Sequence, residues 1–245
     1  MTAHGWVPPG TVYGTLLNFR GEYAHWQPRM GDKPYGGAPK APVLYVKTAN
    51  TFAPHGASVA LPAGEVVEAS ASLGLLIGEH GAPTHALLVN DLSLAHESYY
   101  RPPMKFRNRD GFLGLPLEPT PLAALGGIGG LAALELELRL HGVHQQTTAL
   151  KDLVRDIPTL LKDVGEFMTL RPGDVLLIGS EVLTDGTRPR VAAGDAVEIS
   201  APGLKPVLQR FVAEEASDAG PPPVARAPSG GRGSALAQSV GARFS

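Results

Sequence analysis

Cysteine is absent from the 245 residues, which excludes disulfides, thiolate nucleophiles and thiolate metal ligands. Long hydrophobic runs are also missing, since no segment approaches the roughly 20 apolar residues that a membrane-spanning helix needs. Neither sign of charge is in large excess: 21 Lys and Arg stand against 23 Asp and Glu, so no nucleic-acid or membrane partner is indicated. Residues 1–9 lack the basic-then-apolar pattern of a signal peptide, and we therefore expect a cytoplasmic protein.

Short apolar segments bounded by Gly, Pro or charge are what the sequence does contain, and each predicts a strand. The segments are residues 11–17, 43–47, 66–78, 86–91, 134–140, 175–180, 197–200 and 207–212. In residues 134–140 Leu alternates with Glu and Arg, which is typical of a half-buried antiparallel strand. Helical spacing is strong only in residues 149–170, where Pro158 predicts two pieces. The fold class is therefore predicted to be mainly β with minor α.

Glycine and proline mark the predicted connections and boundaries. Residues 19–27 predict a short helix or turn, residues 28–42 a mobile loop that could act as a lid, and residues 117–130 a flexible Gly-rich loop. We divide the chain into an N-terminal extension (1–9), one domain (10–215) and a Pro/Gly/Ala-rich tail (216–245) that is predicted to be disordered.

Asp91 lies at the carboxyl end of a predicted core strand. A carboxylate at this place is either a cap for nearby backbone N–H groups or a ligand and catalytic group. Glu65 and Glu68 lie nearby, but their spacing of three puts them on opposite faces of a strand. Glu135 and Glu137 share a face, which is either a solvated surface or a metal-binding one.

Five motifs occurring in order resemble the fumarylacetoacetate hydrolase family. They are residues 14–19 (Gly-Thr-Leu-Leu-Asn-Phe), 43–51, 89–91 (Val-Asn-Asp), 110–112 (Asp-Gly-Phe) and 167–177. Residues 99–103 (Tyr-Tyr-Arg-Pro-Pro) look most like one branch, the first subunit or N-terminal half of the 4-hydroxyphenylacetate-degradation isomerase/decarboxylases. The resemblance implies a mixed β-roll with peripheral short helices, a divalent cation (Mg²⁺ or Mn²⁺), and chemistry on small 2-oxo or enol dicarboxylates.

The family's metal ligands are two Glu and one Asp, and the resemblance puts the Asp at Asp91. The two Glu positions fall on Ser70 and Ser72, whose neutral hydroxyls are poor replacements for anionic ligands. Asp91 alone should therefore hold a cation weakly.

The resemblance also implies catalytic and substrate-binding residues. Glu22 and His25 stand in reversed order where the family has a general acid/base pair, and they form either a dyad or an exposed i, i+3 surface pair. Arg107 replaces a family Lys and suits carboxylate binding better than proton transfer. Lys47 and Ser180 match family substrate-site positions, or are a solvated Lys and a strand-end Ser.

The implied enzyme is an isomerase and carbon–carbon lyase (decarboxylase) of 4-hydroxyphenylacetate catabolism. It would act through an enolate on 5-oxopent-3-ene-1,2,5-tricarboxylate or 2-hydroxyhepta-2,4-diene-1,7-dioate. The alternative is a non-catalytic partner subunit, or a small-molecule binding module, that kept the fold and lost the metal site. The expected assembly is a homo-oligomer or a complex with a metal-bearing second subunit.

Overall fold

Strands dominate residues 5–34, 36–97 and 104–214, which are the residues that the computed structural model describes. The sixteen strands of this part are β1 (Val12–Leu16), β2 (Val43–Lys47), β3 (Phe52–Ala53), β4 (Ser58–Leu61), β5 (Val67–Glu68), β6 (Ala71–Ile77), β7 (Pro83–Asp91), β8 (Ser93–Leu94), β9 (Leu113–Gly114), β10 (Thr120–Pro121), β11 (Glu135–Leu140), β12 (Val143–Ala149), β13 (Val175–Leu177), β14 (Arg190–Val191), β15 (Ala196–Ser200) and β16 (Val207–Ala213). The helices are α1 (Arg20–Trp26), α2 (Met104–Arg107), α3 (Gly127–Leu131) and α4 (Ile157–Gly165). The predicted class, mainly β with minor α, is confirmed.

Three sheets make up the fold. The largest has eight strands in the order β2-β1-β13-β6-β7-β9-β3, with β10 also paired to β7. A five-stranded sheet runs β12-β11-β15-β16-β4, and a small one runs β14-β5-β8. The two ends of the eight-stranded sheet, β2 and β3, are only five residues apart in sequence, from Lys47 to Phe52. Because so short a segment joins opposite edges, the sheet must curl until those edges approach.

The eight-stranded sheet is apolar on both faces. One face carries the largest core cluster, which includes Leu73, Leu75 and Leu88, and it packs toward β11, β15 and β16 of the five-stranded sheet. The other face carries a smaller cluster that includes Val89 and Leu177. Successive residues of a strand point to opposite faces, so both faces draw on the same continuous apolar runs.

Two predicted elements show how local pattern sets local structure. In β11, Leu136 and Leu138 are buried and the strand pairs antiparallel with both β12 and β15, which confirms the half-buried strand. In residues 149–170 a 3₁₀ turn (Leu150–Asp152) precedes α4, confirming two helical pieces. Pro158 lies in the first turn of α4, and the Asp156 side chain caps that turn by accepting from the Thr159 N–H at 2.9 Å.

The prediction of a flexible loop over residues 117–130 was wrong. The segment contains β10, a 3₁₀ turn (Leu122–Leu125) and the start of α3. Its anchors are the buried side chains of Leu122 and Leu131, and Gly126, with a φ of 77°, makes the bend between the two helical turns. Strand β12 was missed, because its inward-facing residues are the polar Gln146 and Thr148.

The ends and connections depart from the predicted boundaries in smaller ways. Trp6 packs against the smaller core cluster and its N–H donates to the Leu117 carbonyl at 3.3 Å, so the chain joins the domain before residue 10. The predicted lid (28–42) begins in a 3₁₀ turn (Gln27–Arg29) followed by buried Met30, and its mobility stays a prediction. The predicted tail (216–245) and the motif at residues 99–103 lie outside the described residues.

Candidate functional site

Asp91 and the positions aligned with the family's metal ligands share one face of the eight-stranded sheet. Five positions in register mark that face across five neighbouring strands: Tyr45, Gly14, Leu177, Gly74 and Leu87. Positions an even number of residues away on the same strand point the same way, and these include Lys47, Ser72 and Asp91. Ser70 precedes β6, and its carbonyl accepts from the Asp91 N–H at 2.9 Å. The alignment inferred from sequence therefore brings its candidate ligands together in space.

The Asp91 carboxylate is completely buried and is held by three neighbours. Lys47 Nζ lies 2.7 Å from Oδ1, and Arg107 Nη1 donates to Oδ2 at 2.9 Å. The Tyr45 hydroxyl also donates to Oδ2. Asp91 is thus neither a simple loop cap nor an open ligand: it is the anion of a buried ion cluster, which we call the Asp91 cluster (Tyr45, Lys47, Asp91 and Arg107).

Lys47 does more in this cluster than neutralise Asp91. Its ammonium donates to the carbonyls of Leu92, Arg107 and Phe112 at 2.7–2.8 Å, and the residue is 1% exposed. One side chain therefore ties together the end of β7, the end of α2 and the Asp-Gly-Phe turn. The alternative of a solvated lysine was wrong, because β2 ends inside the curled sheet and not at its surface.

Arg107 is positioned by an aromatic side chain and by its own helix. It ends α2, and its guanidinium lies over the ring of Tyr45, 4.5 Å from the centroid. The ring in turn lies against Gly14, where any Cβ would collide with it. The Nε atom of Arg107 is buried without a hydrogen-bond partner among the described residues.

The electrostatics of the cluster fix its charge states at neutral pH. Burial raises the pKa of Asp91, but the charges of Lys47 and Arg107, helped by the hydrogen bond from Tyr45, outweigh it, and the net pKa is lowered. Burial lowers the pKa of Lys47 to about 8 against the opposing pull of Asp91. Burial, followed by the Asp91 charge, raises the pKa of the Tyr45 hydroxyl well above its ordinary value. Asp91 is therefore ionised, Lys47 is mostly charged and Tyr45 is neutral.

Glu22 and His25 lie one turn apart on α1, as predicted, but they point into different surroundings. Glu22 is buried: the Leu17 N–H donates to its Oε2 at 2.6 Å, and Arg188 Nη2 lies 2.7 Å from its Oε1. His25 is exposed, next to Gly186. The alternative of an exposed Glu22–His25 surface pair was therefore wrong for Glu22, and the carboxylate's strong contacts go to Arg188.

Glu22 also acts on the Asp91 cluster through its charge. Burial lowers the pKa of Arg107, but Tyr45, Asp91, Glu22 and Glu68 together raise it. The charge of Glu22 thus favours the charged form of Arg107, while its ion pair is with Arg188. Of these two glutamates, Glu22 is already paired with Arg188.

The remaining predicted residues fall into two groups. Ser180 is buried near the carboxyl end of β13, at 5% exposure. Glu65, Glu135 and Glu137 are instead exposed or half-exposed, and Glu137 pairs with Arg139 at 2.6 Å.

The residues around Asp91 do not fit a divalent cation. Magnesium and manganese need several oxygen ligands, preferably anionic. The Ser72 hydroxyl donates to the Gly179 carbonyl at 2.6 Å. Asp91 Oδ2 accepts from Arg107 and Tyr45, and Oδ1 lies 2.7 Å from the Lys47 ammonium, without a hydrogen-bond donor of its own among the described residues. Within residues 5–34, 36–97 and 104–214, no three acidic or histidine side chains gather as a ligand set.

Several residues of the site were missed in the sequence. Tyr45 could have been found, because the period of two places it on the same face as Lys47. Arg188, which comes from a loop 166 residues after Glu22, carries no local signal. Gln209 also carries no local sequence signal. Its side chain accepts from buried Asn90 at 2.8 Å and donates to the Gly111 carbonyl at 3.1 Å, and these bonds hold the turn before Phe112.

Comparison with known proteins identifies the fold family. The family model for the fumarylacetoacetate hydrolase C-terminal domain matches residues 11–212. The chain belongs to this family. Fumarylacetoacetate-hydrolase family membership was the prediction made from the motifs, and it is confirmed.

Curated relatives point to one branch of the family. The 4-hydroxyphenylacetate degradation bifunctional isomerase/decarboxylase of Salmonella dublin is 32% identical over 216 residues, covering 84% of this chain and 48% of the relative. Its Escherichia coli counterpart is 30% identical over 215 residues, with the same coverage. The chain thus spans about half the length of the curated relatives it matches.

Solved structures of the family share the fold. The 5-carboxymethyl-2-hydroxymuconate delta-isomerase of Mycobacterium smegmatis superposes with a TM-score of 0.68 at 22% identity, over 86% of this chain and 81% of that one. A maleylpyruvate hydrolase from Sphingobium sp. SYK-6, in complex with manganese(II) and pyruvate, gives 0.65 at 21% identity, over 85% and 73%. Of the helices that the structure describes here, none has the length and apolar character to cross a membrane.

Proposed function

We propose that this chain is a non-catalytic, metal-independent subunit of a 4-hydroxyphenylacetate-type isomerase/decarboxylase, acting in the cytoplasm beside a second, metal-bearing family member. The observation that carries this proposal is the state of Asp91, whose two oxygens bind Lys47, Arg107 and Tyr45. The half-length match to bifunctional relatives supports a partner of similar fold.

The chemistry of the pathway explains why the Asp91 cluster argues for a partner. Decarboxylation beside a ketone, and migration of a double bond along a 2-oxo acid, both pass through an enolate whose charge a chelated cation can stabilise. Here Asp91 is an ionised carboxylate with a lowered pKa, so it is also a poor proton carrier. A metal-bearing partner would supply what this site does not.

The test compares the purified chain alone, a candidate second subunit alone, and their mixture. Decarboxylation of 5-oxopent-3-ene-1,2,5-tricarboxylate and isomerisation of 2-hydroxyhepta-2,4-diene-1,7-dioate are followed with and without MgCl₂. We expect no turnover by this chain alone, and co-elution with the partner in size-exclusion chromatography. Mg²⁺-dependent turnover by the chain alone, lost in Asp91→Ala, would refute the proposal.

A second candidate is that the chain is itself an isomerase/decarboxylase. The observation that favours it is a second buried ion pair, Glu22 with Arg188, whose carboxylate charge raises the pKa of Arg107 in the Asp91 cluster. In this case Glu22 and His25 would carry protons, and Lys47, Arg107 and Ser180 would bind a 2-oxo or enol dicarboxylate. A loss of turnover in His25→Ala, at unchanged melting temperature, would distinguish this candidate from the first.

A further inference from the structure

The space beside Asp91 is occupied by the chain's own cationic groups. A Mg²⁺ ion bonds a carboxylate oxygen at about 2.1 Å and Mn²⁺ binds at a similar distance. Arg107 Nη1 lies 2.9 Å from Oδ2 and Lys47 Nζ lies 2.7 Å from Oδ1. A metal approaching either oxygen along these lines would sit within about 1 Å of a nitrogen atom. Metal and nitrogen cannot both be there.

We infer that Arg107 and Lys47 occupy the cation's place beside Asp91 in this chain, so that this region folds without metal. The family also has basic residues at these two positions, so the difference here is the loss of the two Glu ligands, which leaves Asp91 to pair with Arg107 and Lys47. The alignment places hydroxyls, Ser70 and Ser72, where the family has anions, so less negative charge remains to be balanced. The site therefore has fewer carboxylates than the family's metal site, and its positive charge belongs to side chains of this chain.

Hydrogen bonds, one of them from the Ser72 side chain and two through the Ser70 backbone, hold the segment that carries the two serines. The Ser72 hydroxyl reaches across to the carbonyl of Gly179, just beyond β13, at 2.6 Å. The Ser70 N–H donates to the buried Asn90 side chain at 3.3 Å, and the Asp91 N–H donates to the Ser70 carbonyl at 2.9 Å. The segment that includes Ser70 and Ser72 is therefore held to its neighbours by ordinary hydrogen bonds.

Lys47 and Arg107 have different parts in this arrangement. Lys47 donates to three backbone carbonyls and forms an ion pair with Asp91, so removing it would orphan buried backbone groups. The guanidinium of Arg107 contacts Asp91 through Nη1 and the Tyr45 ring through its face, while its buried Nε has no partner among the described residues. Arg107 is thus the cation that can be removed with less disruption, and the test acts on it.

The experiment tries to reverse the replacement. The variant Ser70→Glu/Ser72→Glu/Arg107→Met supplies two carboxylates and vacates the guanidinium's place. Its matched control, Ser70→Gln/Ser72→Gln/Arg107→Met, has nearly the same shape without the charge. Mn²⁺ alone is the probe: binding is followed by loss of the free-ion paramagnetic resonance signal, and by the shift in melting temperature against EDTA.

For the wild-type chain we expect no saturable Mn²⁺ binding below millimolar concentrations and no change in melting temperature on adding EDTA. The glutamate variant should bind Mn²⁺ at least ten times more tightly than the glutamine control. Equal Mn²⁺ affinity of two folded variants would overturn the inference.

If the variants do not fold, the Mn²⁺ titration of the wild-type chain can still refute the inference. Micromolar binding of Mn²⁺ to the wild-type chain, abolished in Asp91→Asn, would by itself overturn the inference. The double variant Ser70→Glu/Ser72→Glu, which keeps Arg107, should pair its new carboxylates with the guanidinium and gain little Mn²⁺ affinity. Tight binding by this double variant would show that Arg107 does not hold the cation's place.

This inference rests on family membership and on the Asp91 cluster, and not on the proposed partner subunit. The Mn²⁺ measurements use the isolated chain and need no substrate. Their outcome is therefore independent of whether a mixture with a second subunit is active.

Discussion

Replacing Asp91 by Asn tests the buried ion cluster with a change of almost no volume. Asn keeps the shape and one acceptor oxygen, so Tyr45 or Arg107 can still donate to it. It removes the negative charge, however, and leaves two buried cations, Lys47 and Arg107, that are 1% and 2% exposed. Because both cations lose their shared counter-ion away from water, the change should be far more damaging than its size suggests.

The magnitude follows from the degree of burial. Breaking a buried ion pair by removing one partner costs about 3–5 kcal/mol of unfolding free energy, since an uncompensated charge stays inside. For a domain of this size, 1 kcal/mol corresponds to about 2–4 °C, so the melting temperature should fall by roughly 6–20 °C. The three carbonyl acceptors around Lys47 place the expected value toward the lower end, because they still solvate its ammonium.

Urea unfolding followed by circular dichroism measures this loss directly. Asp110→Asn is the matched control: it is the same chemical change at an exposed site, where the Asn50 amide that donates to Asp110 keeps an acceptor. Surface changes of this kind usually stay within about 0.5 kcal/mol. If Asp91→Asn is no more destabilising than Asp110→Asn, the ion cluster does not exist as described.

Measuring the unfolding free energy at acid pH tests the same cluster in a second way. The folded-state pKa of Asp91 lies below its ordinary value of 3.8. Its contribution to stability is therefore complete above pH 3.8 and is lost as the pH falls through the folded-state pKa. The difference in unfolding free energy between wild type and Asp91→Asn should become smaller in this acid range. A difference that stays constant would contradict the lowered pKa of Asp91.

Three further predictions concern groups around the Asp91 cluster. Gly14→Ala would drive a methyl group into the Tyr45 ring, and a loss of about 1–3 kcal/mol by urea unfolding is expected from overpacking; an unchanged midpoint would contradict the contact. Gln209→Leu removes the acceptor of the Asn90 amide and should cost about 1–3 kcal/mol for each buried group it orphans, whereas a neutral effect would show that water replaces it. Lys47 should titrate near pH 8 in an NMR titration of labelled lysines, and, because its folded-state pKa is lower than the unfolded value of 10.5, its contribution to stability should rise between pH 8 and pH 10.5; a midpoint near 10.5 would contradict this.

The fold was largely predictable where hydrophobic period and burial agree. The alternating Leu of β11 and the spacing of α4 each pointed to the observed element, because apolar side chains alone decided which face is buried. The pattern failed in β12, where Gln146 and Thr148 face inward, since polar residues carry no burial signal of their own. It also failed over residues 117–130, where glycines suggested flexibility but buried Leu122 and Leu131 fix the backbone.

The sequence predicted which residues belong to the site better than it predicted which residues contact each other. Motif order brought Lys47, Asp91 and Arg107 into one set, and the structure places them in contact. Which partner each one chooses depends on approaches between distant parts of the chain that no local pattern encodes. Glu22 shows this most clearly: helical spacing offered His25 as a partner, and the chain supplies Arg188 from far downstream.

The carbonyl contacts of Lys47 have a consequence for the living cell. In a protein whose strand ends are joined by a bound ion, the amount of properly folded material depends on how much of that ion the cytosol provides. Here the ammonium of Lys47, which is part of the chain itself, joins the end of β7, the end of α2 and the turn at Phe112. The abundance of this chain should therefore stay constant through manganese or magnesium starvation, while metal-requiring members of its family decline.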